Sequence, residues 1–196
     1  TQLNSSWDRL RTLTMDLRHA LGVPGISITR ENGRLQIAVA RPVEAPVRLL
    51  DVIAMEPVKP ETAVIGLSDA GKPVLLPLNQ GHVLISGISG AGKTSMLRAI
   101  AMSLALSNRP SRLQQVIIAP VFGSNNAFAE LEPLSVLPHL SANIDYQIEE
   151  SARYLDWLVS EMENRLRLAE TSPTIVVMID HVVELMVAGG EPIIEA

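Results

Sequence analysis

The sequence predicts an α/β fold: helices around a mostly parallel sheet, preceded by a small α+β segment. Three observations lead there. From residue 49 onward, short apolar runs alternate with stretches of helical periodicity, the pattern of βαβ units. One of those runs, HVLIS, leads into GISGAGKTS and then into a helical stretch. Ahead of them, one amphipathic helix and one hairpin fill the first part of the chain. The expected division is therefore 1–48 for the helix-plus-hairpin segment and 49–196 for the α/β domain.

The first helix is read from Trp7 to Leu21, where Leu10, Leu13, Leu17, Ala20 and Leu21 recur at three- and four-residue spacing. Ser5 or Ser6 can cap it, and Gly22 stops it. ISITR and LQIAVA alternate apolar and polar residues around ENGR, whose Asn32-Gly33 pair is a hairpin turn signal. VRLLDVIAM, after Pro46, reads as helical or mixed. AVIGL and PVLLPL flank SDAGK as a second hairpin. HVLIS is expected to be a short apolar strand. Met96, Leu97, Ile100, Ala101, Leu104 and Ala105 then repeat helically between Thr94 and Ser107. LQQVIIA (113–119) reads as a strand, 120–145 as irregular, Gln147 to Ala169 as a charged amphipathic helix, Ile175 to Ile179 as a buried strand, and Val182 to Val187 as a helix start.

Composition narrows the function classes. Hydrophobic residues make up 47% of the 196, with 3% aromatic, which implies a packed aliphatic interior. The absence of cysteine excludes disulfides and thiolate metal sites. His19, His82, His139 and His181 show no metal-ligand spacing, so a metal site of protein ligands alone is not expected. The net charge of −5 argues against binding nucleic acid by bulk electrostatics. Glu149, Glu150, Glu161 and Glu163 belong to the solvated face of one helix. No apolar run approaches the roughly 20 residues of a membrane span. A chain opening at Thr1 is expected to be a piece of a longer one, whose other parts can hold an anchor. This segment is expected to be cytoplasmic and to make no membrane contact.

Gly87-Ile88-Ser89-Gly90-Ala91-Gly92-Lys93-Thr94 matches G-x-x-x-x-G-K-[ST] in full, with a strand expected before it and a helix after. Glycines allow the backbone to wrap close enough for successive N–H groups to point at phosphate oxygens, and the helix that follows presents its positive end to the same anion. Lys93 can reach the β- and γ-phosphates, and the Thr94 hydroxyl suits magnesium. Gly87, Ser89, Gly90, Ala91, Gly92, Lys93, Thr94 and Ser95 are thus the candidate nucleotide-binding residues, with ATP and Mg2+ as the cofactors. Asp180, at the end of IVVMI, would stand at the C-terminal edge of a central strand, where open α/β sheets bind ligands. It can serve magnesium together with Thr94, or cap the following helix.

In order along the chain, IGLSDAGKPVLLPLNQGHVLISGISGAGKTSMLRAI, LPHL, WLVSEMENRLRLA and TIVVMIDHVVELM resemble the motor domain of FtsK/SpoIIIE-type DNA translocases, over about Leu49 to Ala196. The helix-and-hairpin segment resembles the small N-terminal part of that motor more weakly. The resemblance implies a RecA-like P-loop core, a homo-hexameric ring in the parent protein, double-stranded DNA as partner, and ATP hydrolysis coupled to its movement. Gly87, Gly92, Lys93 and Thr94 then match the Walker A residues and Asp180 the Walker B aspartate.

The chain departs from that pattern in three places. His181 stands where the family carries the glutamate that polarises the attacking water, so it is the candidate catalytic residue, with hydrolysis in doubt. Ala119-Pro120-Val121 stands where the family tends to show Asp-Pro-Lys. The chain also ends in GGEPIIEA, before the strands that would carry a sensor residue and much of a ring interface. The leading expectation is an ATP-binding domain of a DNA translocase. The alternatives are a nucleotide-binding or assembly module without turnover, and the ATPase of a secretion or conjugation system.

Overall fold

The computed structural model describes residues 13–31, 34–39, 46–121 and 127–190. The chain divides into two compact units, Thr1–Pro46 and Val47–Ala196.

In the first unit, helix α1 covers 13–21. It stops at Gly22, whose φ of 61° is the left-handed conformation that ends helices. β1 (Ile26–Glu31) pairs antiparallel with β2 (Arg34–Val39), Ile28 standing opposite Ile37. The hairpin is the expected one. Its Asn32-Gly33 turn and the caps proposed at Ser5 or Ser6 lie outside the described residues.

The second unit opens with α2 (Leu49–Ile53), which buries Val52. β3 (Thr62–Leu67) and β4 (Pro73–Pro77) form an antiparallel hairpin with a bulge between Val64 and Gly66. α3 (Lys93–Ser107) lies against this hairpin, and the backbone N–H of Val64 donates to Ser103 Oγ at 2.7 Å. β5 (Leu113–Ile118) and β6 (Thr174–Ile179) are parallel and in register, with Val116 opposite Val177. Between them in sequence come α4 (Ala127–Leu131), a 3-10 turn over Glu132–Val136 and the long helix α5 (Ile148–Leu168). α6 (Val182–Gly189) follows β6.

The alternation of side chains along a strand builds the layers. On one face of β5, Leu113 and Ile117 join Leu97, Ile100, Ala101 and Leu104 of α3, with Leu131, Leu134 and Met178, in the main core. On the other face, Val116 and Ile118 meet Leu185 of α6 and Ile148, Ala152, Leu155 and Leu158 of α5. Helices on both faces of a parallel strand pair make this unit α/β.

Two details differ from the sequence reading. Residues 82–86, expected as a strand, form no ladder among the described residues; Leu84 is 81% exposed. An apolar run favours extended backbone, but a strand also needs a paired neighbour, and β6 is paired only through β5. Conversely, part of the supposedly irregular region runs parallel beside β5, with bridges from Gln115 to Leu140 and from Ile118 to Asp145. Buried Asp145 then starts α5, accepting from the Gln147 N–H at 2.9 Å and from Ser151 Oγ at 2.6 Å.

Candidate nucleotide site

The phosphate loop, residues 87–94, takes its shape from its glycines. Gly90 and Gly92 have φ of 77° and 88°, a region that a side chain makes costly. At Gly87 the limit is space, since a Cβ there would lie 3.3 Å from that of Ala91. The Ala91 N–H closes the turn on the Ile88 carbonyl at 3.2 Å. Residues 88–92, Ser89 among them, are exposed and open to a ligand. Lys93 begins α3 and folds its Nζ back over the loop, donating to the carbonyls of Gly87 at 3.1 Å and Ile88 at 3.2 Å. No acidic residue lies in the first turn of α3. The positive end of that helix and the lysine are thus placed where both can act on an anion.

Asp180 ends β6 and is 4% exposed. Its N–H donates to the Ile118 carbonyl at 2.9 Å, so the last rung of the parallel pair holds it in place. Its Oδ2 accepts from Thr94 Oγ1 at 2.7 Å, and its Oδ1 from the His181 N–H at 3.1 Å. The two residues expected to serve magnesium are thus in direct contact. A carboxylate and a hydroxyl are the oxygen donors that this cation takes, with water and phosphate oxygens completing its shell.

His181 occupies the N-cap of α6 in the left-handed region, at φ 55° and ψ 41°, and caps nothing with its side chain. Such a conformation is unfavourable for a residue with a Cβ. It sets the imidazole between two carboxylates. Nε2 is 3.8 Å from Asp180 Oδ2, and Nδ1 is 3.6 Å from Glu184 Oε1, one helical turn on. The Glu184 carboxyl is held below its ordinary range, chiefly by its own backbone N–H and, against some desolvation, by His181 and then Lys93.

The remaining predicted residues fall as follows. Ser95 is exposed and gives its hydroxyl to Glu130 Oε2 at 3.0 Å, while Arg98 Nη1 donates to the Glu130 carbonyl at 3.4 Å. Nothing in the local sequence marks Glu130, since an acidic residue two positions before Glu132-Pro133 reads as surface. Ala119 and Pro120 are fully buried, and the Ala119 N–H donates to the Asp145 carbonyl at 2.8 Å. The first two residues of the Asp-Pro-Lys position are therefore core here, while the third, Val121, is exposed.

Comparison with known proteins bears on the family and the fold. The family model described as the FtsK/SpoIIIE family matches residues 28–172. The DNA translocase SftA of Bacillus subtilis is 29% identical over 159 residues, covering 70% of this chain and 16% of the relative. The DNA translocase FtsK of Pseudomonas putida is 28% identical over 168 residues, covering 82% and 19%. The chain spans under a fifth of the length of these two relatives. Among solved structures, it resembles the cytoplasmic domain of the Thermomonospora curvata type VII secretion ATPase EccC, with TM-score 0.54, 24% identity, and coverage of 74% and 22%. A structure of EccC ATPases 2 and 3 with a signal sequence peptide gives TM-score 0.59 and 18% identity, covering 79% and 29%. At these identities the structural likeness is one of fold.

Proposed function

The chain belongs to the FtsK/SpoIIIE family, and from that premise we propose that it is the ATP- and Mg2+-binding domain of a DNA translocase, acting within a hexameric parent ring on duplex DNA at the cytoplasmic side. The observation that carries the reading is the contact between Thr94 and Asp180, which joins the phosphate loop to the end of the central strand. In this reading the loop N–H groups from Gly87 to Thr94 hold the phosphates, together with the backbone of Ser95. Lys93 leaves the Gly87 and Ile88 carbonyls to neutralise β/γ charge. Thr94 and Asp180 would hold the magnesium, which supplies charge stabilisation on the phosphoryl oxygens when bound. No helix among the described residues is long and apolar enough to cross a membrane.

A second reading, binding without turnover, is favoured by His181. An imidazole at the position after Asp180 has neither the charge nor the reach of a carboxylate for polarising water. Phosphate release by the full parent protein, with and without duplex DNA and with Lys93→Ala as background, separates the two. DNA-stimulated release lost in Lys93→Ala supports the translocase. Lys93-dependent binding without release supports the module. Release that responds to a secretion-signal peptide and not to DNA would replace both with the secretion reading.

A further inference from the structure

The imidazole of His181 has a carboxylate near each ring nitrogen, an arrangement comparable with that of a metal-ligating histidine. In such sites one ring nitrogen takes the cation, and the other donates its proton to a carboxylate that fixes the tautomer and orients the ring. Here Nδ1 faces Glu184 Oε1 at 3.6 Å, and Nε2 faces Asp180 Oδ2 at 3.8 Å, the oxygen that also accepts from Thr94. The left-handed backbone at His181 holds the ring between these groups, with its side chain only 22% exposed. We propose that His181 is a nitrogen ligand, through Nε2, of the divalent cation at Thr94 and Asp180, with Glu184 as the carboxylate that positions its ring.

This inference rests on the nucleotide-binding reading. Among the described residues, no three His, Cys, Asp or Glu side chains gather for a metal. Two protein oxygens and one nitrogen therefore leave half of an octahedral coordination shell to phosphate oxygens and water. A nitrogen donor changes which cation is preferred. Mg2+ takes oxygen ligands and sheds water reluctantly, whereas Mn2+ and the later first-row cations accept imidazole more readily. The site is accordingly selective for a Mn2+-like ion over Mg2+. His181 also becomes unavailable as a base while its nitrogen is bound, which gives the glutamate-to-histidine exchange a chemical consequence beyond loss.

The test is electron spin-echo envelope modulation on the full parent protein with Mn2+ and β,γ-methylene ATP, whose triphosphate has no bridging nitrogen. The expected result is a 14N coupling of directly ligated imidazole that disappears in His181→Asn, a residue that tolerates the left-handed backbone. Titration of the same complex should show the preference for Mn2+ over Mg2+ falling about tenfold in that variant, and Mn2+ affinity falling about tenfold in Glu184→Gln with the 14N coupling retained. Lys93-dependent binding of Mn2+ and nucleotide without 14N coupling, or with coupling unchanged in His181→Asn, overturns the inference and leaves the nucleotide site standing. Absence of any Lys93-dependent nucleotide binding overturns both.

Discussion

Thr94 and Asp180 are 86 residues apart in sequence, yet the hydroxyl of one donates to the carboxylate of the other at 2.7 Å. The contact ties the first turn of α3 to the end of β6. The carboxylate is buried, and the threonine hydroxyl and the His181 N–H each satisfy one of its oxygens. The fold therefore brings a hydroxyl and a carboxylate together at the start of α3.

Thr94→Val keeps the shape of the side chain and removes the donor. Hydrogen bonds to charged groups contribute about 1.5–3 kcal/mol, and a buried carboxylate that loses one keeps its desolvation cost. Denaturant unfolding without nucleotide should show a loss in that range. A double-mutant cycle with Asp180→Asn should return most of it as coupling between the two positions. Additive effects would mean that the contact contributes nothing to the apo fold.

Ser103 lies in the middle of α3, fully buried, and its hydroxyl oxygen accepts the Val64 N–H at 2.7 Å. The bond fastens the β3–β4 hairpin to the helix at the bulge, where the ladder itself shifts register. Ser103→Ala should cost about 1–3 kcal/mol, because it leaves a buried backbone donor unpaired. Val64 should lose amide-exchange protection first, ahead of the β5–β6 rungs. Equal loss across both would place the serine in the global core instead.

Tyr146 is pushed above the ordinary range for a tyrosine, first by burial and then by Glu132, whose Oε2 accepts its hydroxyl at 3.1 Å. A raised folded value means that the neutral phenol is favoured in the native state. Its contribution is therefore complete below the unfolded value of about 10 and is lost as pH rises through and above it. Stability measured from pH 9 to 11.5 should fall less steeply in Tyr146→Phe than in the wild type. Parallel slopes would show that the phenol titrates alike in both states.

Local sequence was enough for the elements whose signal is contained in a few neighbouring residues. The phosphate loop is one, because glycines at fixed offsets before Lys93-Thr94 dictate backbone geometry without help from elsewhere. α3 and α5 are others, since their apolar spacing already states which face is buried. The β1–β2 and β3–β4 hairpins are legible for the same reason, with strand and partner separated only by a turn. Asp180 was readable as a strand-end carboxylate, but its contact with Thr94 was not.

Whatever depended on a distant partner had to wait for tertiary structure. HVLIS has the composition of a strand, but strand pairing requires a second backbone, and residues 82–86 find none among the described residues. Residues 140–145 have no strong strand pattern, yet the open edge of β5 recruits them. Ser95 with Glu130 and Ser103 with Val64 are pairings that no spacing rule announces. The chain itself determined the candidate phosphate loop, residues 87–94. The fold decided what faces that loop, because the packing of β6 against β5 brings Asp180, and the histidine after it, to the start of α3.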